Sequence, residues 1–518
     1  MKSLPVIGFI VFPILLSWYG IIVYADLATG WAIVHDSTIP PIIWFSIWQA
    51  FLSAFLSLLI ALPASLYLWR FNPLGKSFFM NLFGVGFAIP TIAAVFAIIE
   101  IYGREGWFNQ FFELIGWEEF GEIYGLKGIL LAHLFFNVPY SIILITNGLS
   151  SIPSNYYLLA AQMKIKGWNF FRYIILPCIW ANITSSFILV FLICLVSFAT
   201  VYVLGGLRFT TMEMAIYEAL KYDFDYSKAV ILSFIQIIIC AAVMFCSKIR
   251  GSILPEMTFT HYDKKFTVKT TNMIYYYGGG IFFILAIMIT AVPVLSILIK
   301  ILSGETYQIW LLDSFRHAFL WSFLISMLSS LICNICGLVL SDLYRKTRNQ
   351  FFDYLAYTTL IFSPFVLGTG LFIMMNEQGI LYSSGFWGVV WINSLVALPF
   401  TYRILKEPMM LSVGRYKNLA KMMGVKGLRY FFFIDLPFIK KPLIKSFCLA
   451  AALSMGDLSI IAIFGSEEVN TLPLLITRLM GHYRSDDAGS AVFWLCVLIF
   501  LIMYIPRKLN LTPDSRNA

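Results

Sequence analysis

Stretches of about 20 or more mostly apolar residues recur along the whole of this 518-residue chain, at approximately 5–25, 43–69, 78–102, 126–149, 179–205, 229–247, 273–299, 318–341, 352–375, 386–405, 442–464 and 488–505. No other feature narrows the possible folds so far, because about 20 residues of helix cross roughly 30 Å of hydrocarbon. Twelve such segments predict an all-α polytopic membrane protein whose termini share one side. A hydrophobic share of 60% against 12% charged residues excludes an ordinary soluble domain. The first stretch follows Lys2 and ends near Ala25, as a secretory leader would. Its run of about 20 apolar residues exceeds the usual 7–15 of a leader, so it reads as a retained helix.

One segment occurs twice. LLAAQMKIKGWNFFRYIILP runs from Leu158 to Pro177 and NLAKMMGVKGLRYFFFIDLP from Asn418 to Pro437; at a shift of 260 they agree at nine of twenty positions without a gap. The same shift pairs Gly125 with Gly385, Gly128 with Gly388, Pro139 with Pro399 and Gly205 with Gly465, so the repeated unit is a whole bundle in one orientation. The expected domains are a first repeat at 1–250, a linker at 251–272 and a second repeat at 273–518. Each copy of the segment reads as a helix from about Asn155 or Arg415, a bend at Gly167 or Gly427, and a short aromatic helix stopped by Pro177 or Pro437. Glycine permits the bend, while proline ends one helix and suits the first turn of the next. Taken alone, an amphipathic hairpin lying on the membrane surface fits the same pattern.

The face of the membrane that carries these segments holds 27 of the 36 lysines and arginines and only 7 of the 27 acids. By the positive-inside rule that face is cytoplasmic, and both termini with it. Topology thus accounts for the net charge of +9, which needs no nucleic-acid partner.

The duplicated segment resembles the EAA loop of ABC-importer permeases, a helix-glycine-helix that docks into a cleft of the ATPase subunit. The family's Glu-Ala-Ala reads Leu158-Leu159-Ala160 and Asn418-Leu419-Ala420 here, and its glycine is Lys164 in the first copy but Gly424 in the second. The resemblance implies two tandem parallel repeats of a type I importer permease bundle. It also implies two coupling loops, residues 158–177 with Ala160, Lys166, Gly167 and Pro177, and residues 418–437 with Ala420, Gly424, Lys426, Gly427 and Pro437. Two copies of an ATP-binding subunit would dock there. The wording AAQMKIKGWNFFR, the fused halves and the C-terminal block from Ser454-Met455-Gly456-Asp457 through Gly481-His482-Tyr483-Arg484-Ser485 are similar to permeases of thiamine/thiamine pyrophosphate importers. The substrate so implied is thiamine or its phosphates, delivered by a periplasmic solute-binding protein at the bacterial inner membrane. Neither a catalytic residue nor a cofactor is implied.

Other residues speak through their own chemistry. Asp457, some 15 residues into a span, is costly in a membrane and either lines a pathway or serves as a helix cap or interhelical hydrogen-bonding group beside Gly456. Thiamine is a cation, which an acid and aromatic faces would suit. Pro90 and Pro364 lie in counterpart spans, as packing kinks or as a gate. Gly278-Gly279-Gly280 allows close helix packing. The outer loop 102–124, with Glu105, Glu113, Glu118, Glu119 and Glu122, is a surface for a delivering protein or a solvated helix. Gly75-Lys76-Ser77 lacks the leading glycine of a phosphate loop, since position 70 is Arg, so ATP hydrolysis must come from another subunit. The eight cysteines fall in or beside apolar spans, and the Cys333/Cys336 pair lacks the second pair of a zinc site, so packing rather than metal accounts for them. A fused permease for ferric iron or another small solute shares the paired loops. An ion-driven secondary transporter would show charged or broken helices in matched positions, whereas Asp457 is matched by Ser197, and its repeats are often inverted.

Overall fold

The protein, here as a computed structural model, is described at residues 4–24, 37–116, 123–206, 209–249, 273–299, 305–360, 362–422, 424, 428–466 and 469–508. Its first half opens with α1 (Leu4–Tyr24) and α2 (Ile39–Phe71), followed by α3 (Lys76–Ala88), α4 (Thr91–Tyr102), α5 (Trp107–Ile115) and α6 (Leu126–Ser150). Next come α7 (Ser154–Gln162), α8 (Gly167–Phe170), a π turn (Phe171–Ile175), α9 (Leu176–Leu195), α10 (Phe198–Leu204), α11 (Met212–Lys221) and α12 (Tyr226–Ile249). The second half contains α13 (Met273–Ile299), α14 (Asp313–Thr347), α15 (Phe351–Tyr357), α16 (Pro364–Glu377) and α17 (Leu381–Met422). It ends with α18 (Leu428–Tyr430), a second π turn (Phe431–Asp435), α19 (Leu436–Met455), α20 (Ser459–Phe464), α21 (Leu472–Gly481) and α22 (Ser485–Lys508).

This is an all-α polytopic membrane protein, with no strand among the described residues. Among the described residues, eight helices are each long and apolar enough to cross a membrane. The other predicted spans are helical but built differently. α1 covers the first, 78–102 divides at Ile89-Pro90, 352–375 divides before Pro364, and α19 carries Lys440, Lys441 and Lys445. Both prolines stand where helices start rather than within them: Pro90 precedes α4, and Pro364 opens α16 behind Ser363, whose hydroxyl accepts the Val366 N–H at 3.1 Å. Proline lacks an N–H to lose at a helix start, so no ladder bond is sacrificed there. The expected linker at 251–272 lies outside the described residues.

In each half three long helices form the centre: α2, α6 and α9 pack together, as do α14, α17 and α19. Lipid supplies no hydrophobic force between helices, so close approach through small residues has to hold them. α2 buries Ser46, Ser53, Ala54, Ala61 and Ser65, and α14 buries Ser322, Ser329, Ser330, Gly337 and Ser341 at positions 276 further along. Ser46 Oγ accepts the Met212 N–H at 2.9 Å and Ser322 Oγ accepts the Leu472 N–H at 2.7 Å, so the same bond starts α11 and α21. The halves also exchange their leading helices. α1 lies on α16 and α12, Trp391 Nε1 donates to the Phe9 carbonyl at 3.0 Å, and Ile10 is buried with Cys333 and Tyr402. Conversely α13 lies on α2, where a Cβ on Gly279 would stand 3.1 Å from Tyr67 Cβ, and Phe283 joins the first half's core. Of the triple glycine only Gly279 packs closely; a Cβ on Gly280 would make an ordinary contact with the Tyr67 ring at 3.6 Å, and Gly278 faces open space.

Candidate functional site

The duplicated segments form two elbows. In the first, α7 ends at Gln162; Lys164 N–H reaches the Ala161 carbonyl at 3.2 Å and Ile165 N–H the Ala160 carbonyl at 2.9 Å. That pair of bonds is the Schellman end of a helix, which requires a left-handed residue at its turn. Lys164 occupies it with φ +55, a conformation costing an L side chain about 1–2 kcal/mol. In the second copy Gly424 takes φ +67 at the same place without that cost. Gly167 follows with φ +61 and starts the next helix, so the first reversal spans Lys164 to Gly167. Ala160 is buried on the inner face with Tyr157, and Lys166 is exposed. Lys426 and Gly427 lie outside the described residues, and Ala420 is described in its backbone only, as helix.

Two expectations are corrected. Pro177 and Pro437 do not stop a helix. In each copy a π turn carries the chain into the following membrane helix: Leu176 N–H bonds Phe171 O and Leu436 N–H bonds Phe431 O, and the proline comes next. A proline ring would strike the carbonyl four residues back, Tyr173 or Phe433, and the wider turn makes room for it. Nor does a new helix begin near Arg415. α17 runs unbroken from Leu381 to Met422, about 63 Å, roughly twice the hydrocarbon thickness. The first copy breaks at Ser151–Pro153 because a residue before proline is driven out of the helical region, and Val413 stands where Pro153 would be.

The elbows present apolar surface to solvent. Leu158, Leu159, Trp168 and Tyr173 are each more than half exposed in the first, as are Met422, Phe432 and Phe433 in the second. Their inner faces are anchored by different chemistry. Ile175 is buried with Tyr157 in an apolar cluster where Trp69 stacks on Tyr157, ring centroids 6.0 Å apart. At the matching positions stand Asp435 and Arg345, which pair at 2.8 Å with the carboxylate fully buried. Arg345 is also bridged to Asp342 and lies over the Tyr430 ring.

Asp457 stands in a break between α19 and α20, not inside a continuous helix. Its carboxylate accepts the Ser459 and Ile460 N–H groups at 3.2 and 3.1 Å, capping α20. It lies deep in the protein yet keeps part of its surface accessible. The matching break in the first half falls at Val196-Ser197, where Ser197 Oγ is 3.0 Å from His133 Nε2. At the seam between halves a Cβ on Gly456 would meet Pro90 Cβ at 3.0 Å, and Phe198 contacts Phe365 at 4.5 Å between centroids. Glu213, fully buried on α11, accepts from Gln236 Nε2 at 2.5 Å, and α11 packs against α20, the helix that Asp457 caps. Sequence reasoning missed Glu213. The signal that marks it is an acid at the position where the second half has Pro473.

The acidic loop at 102–124 contributes α5, with Phe111, Leu114 and Ile115 exposed; residues 117–122, with Glu118, Glu119 and Glu122, lie outside the described residues. Cys333 donates to Thr401 Oγ1 at 3.2 Å and Cys336 is buried, both within the packed core.

A family model described as "Binding-protein-dependent transport system inner membrane component" matches residues 55–250 and again 333–508. The thiamine transport system permease protein of Salmonella typhimurium is 31% identical over 494 residues, 93% of this chain and 91% of that relative. Its Escherichia coli counterpart is 31% identical over 487 residues, covering 92% and 90%. That of Haemophilus influenzae is 32% identical over 521 residues, 96% of each chain.

Proposed function

Because the chain belongs to the family of binding-protein-dependent transport system inner membrane components, we propose that it is the permease through which an ATP-driven importer moves thiamine and its phosphates across the inner membrane. Likeness to thiamine permeases along nearly the full length of both chains carries this reading. The protein makes and breaks no covalent bond. A solute-binding protein delivers substrate to the outer side, and an ATPase subunit, one copy per elbow, closes on Ala160 to Pro177 and on Ala420 to Pro437, with Gly424, Lys426 and Gly427 at the second bend. Both elbows and both termini face the cytoplasm, following the lysine and arginine bias. The exposed apolar side chains on each elbow are what an ATPase cleft would cover. Substrate crosses at the seam between the halves, where Asp457 borders the pathway. ATP binding must favour one arrangement of the halves over the other, since equal affinity for both shifts nothing.

The test is uptake of labelled thiamine into proteoliposomes holding the permease, its ATPase and the binding protein. Uptake should require all three and ATP. Full-rate uptake by the permease alone, driven by an ion gradient, overturns the coupling; ATP-dependent uptake of a different solute with no thiamine overturns the substrate.

A further inference from the structure

Two acids stand on elements that pack across the seam: α11, which carries Glu213, lies against α20, which Asp457 caps. Glu213 comes from the first half and Asp457 from the second. Glu213 gives Oε1 to Gln236, while Oε2 is buried with no hydrogen-bond partner among the described residues. Glu213 accepts from Gln236 and Asp457 from its own capping amides, and neither forms an ion pair with a described lysine or arginine. A buried carboxylate without a counter-charge is expensive, so burial favours the protonated form of Glu213, and a visiting cation would take the place of that proton. One turn after Glu213, Tyr217 packs on Phe198 at 5.2 Å and Phe365 at 6.3 Å, and Tyr202 meets Tyr217 edge-on at 5.6 Å. These rings draw on both halves, so they separate or close as the halves move.

From the convergence of Glu213, Asp457 and this aromatic group we infer a transient site for an aromatic organic cation, passed as the halves rock. The acids hold its charge, and the rings stack on its planar body and face its positive centre. The inference rests on the thiamine reading above, which supplies a ligand of this class. Gln236 is the positioning residue: its amide fixes one oxygen of Glu213 and leaves the other for the ligand.

The experiment measures thiamine moved per ATP hydrolysed in proteoliposomes with the ATPase and binding protein. Glu213→Gln and Asp457→Asn should each lower that ratio about tenfold, the scale of one charged hydrogen bond, with ATP hydrolysis unchanged. Glu213→Asp, which keeps the charge, should recover most of it. A merely structural role would reduce assembly and hydrolysis together and leave the ratio intact, which overturns the proposal, as does a double Glu213→Gln/Asp457→Asn variant with the wild-type ratio. Should Glu213→Gln fail to assemble, Asp457→Asn decides alone, since Ser197 serves the same break in the first half without a carboxylate. Wild-type protein that hydrolyses ATP but moves no thiamine instead sinks the substrate reading, and this site's ligand with it.

Discussion

Replacing Asp435 with asparagine should loosen one elbow and spare the other. The carboxylate is fully buried and lies 2.8 Å from Arg345, whose side chain is 9% exposed. Removing one partner of a buried pair costs about 3–5 kcal/mol, chiefly because the remaining charge is stranded. Arg345 keeps Asp342 and the Tyr430 ring, so the loss belongs at the lower end, about 3 kcal/mol, or roughly a hundredfold in the opening equilibrium. Hydrogen–deuterium exchange on protein in lipid nanodiscs reads this directly. Amides of 428–436 should exchange about a hundredfold faster in Asp435→Asn, while those of 168–176, held by Ile175, Tyr157 and Trp69, should not change. Installing the first half's chemistry, Arg345→Trp with Asp435→Ile, should restore most of the protection. Equal loosening of both elbows, or none, refutes the claim that the two are anchored by separate and different contacts.

Lys164→Gly should stabilise the first elbow by about 1 kcal/mol, because the relief of a left-handed lysine outweighs the added freedom of glycine; a lowered midpoint of thermal inactivation contradicts this. Gly456→Leu would drive a side chain into Pro90, so uptake should fall severalfold while ATPase co-purification persists; loss of co-purification argues that the seam and the elbows are not separable. Gly279→Leu should weaken the hold of α13 on Tyr67 and Pro63, and in a chain split within 251–272 the co-expressed halves should co-purify poorly, with the unsubstituted split chain as control.

Helix positions and the repeat were legible because lipid enforces one rule on every span and duplication preserved length. What escaped was decided by local geometry. Pro177 reads as a stop because proline usually ends helices, yet one extra residue in the preceding turn absorbs it. The two elbows read alike at nine positions, but Lys164 against Gly424 and Ile175 against Asp435 change the backbone cost and the anchor. Asp457 was visible as an acid among apolar residues, whereas Glu213 sits in a short segment whose burial depends on contacts with α12, α16 and α20 that no local pattern records.

The π turns have a mechanical consequence. From Gly167 to Leu195 the backbone is helical throughout, 29 residues or about 43 Å, and the second copy is likewise helical from Leu428 to Met455. Under the proposed coupling each would serve as a push-rod, with its foot in an elbow and its tip at a break beside the seam, Ser197 in one half and Asp457 in the other. A tilt imposed at the foot would have no loop in which to dissipate, so a small swing of the elbow would be carried to the break at the far end of the helix.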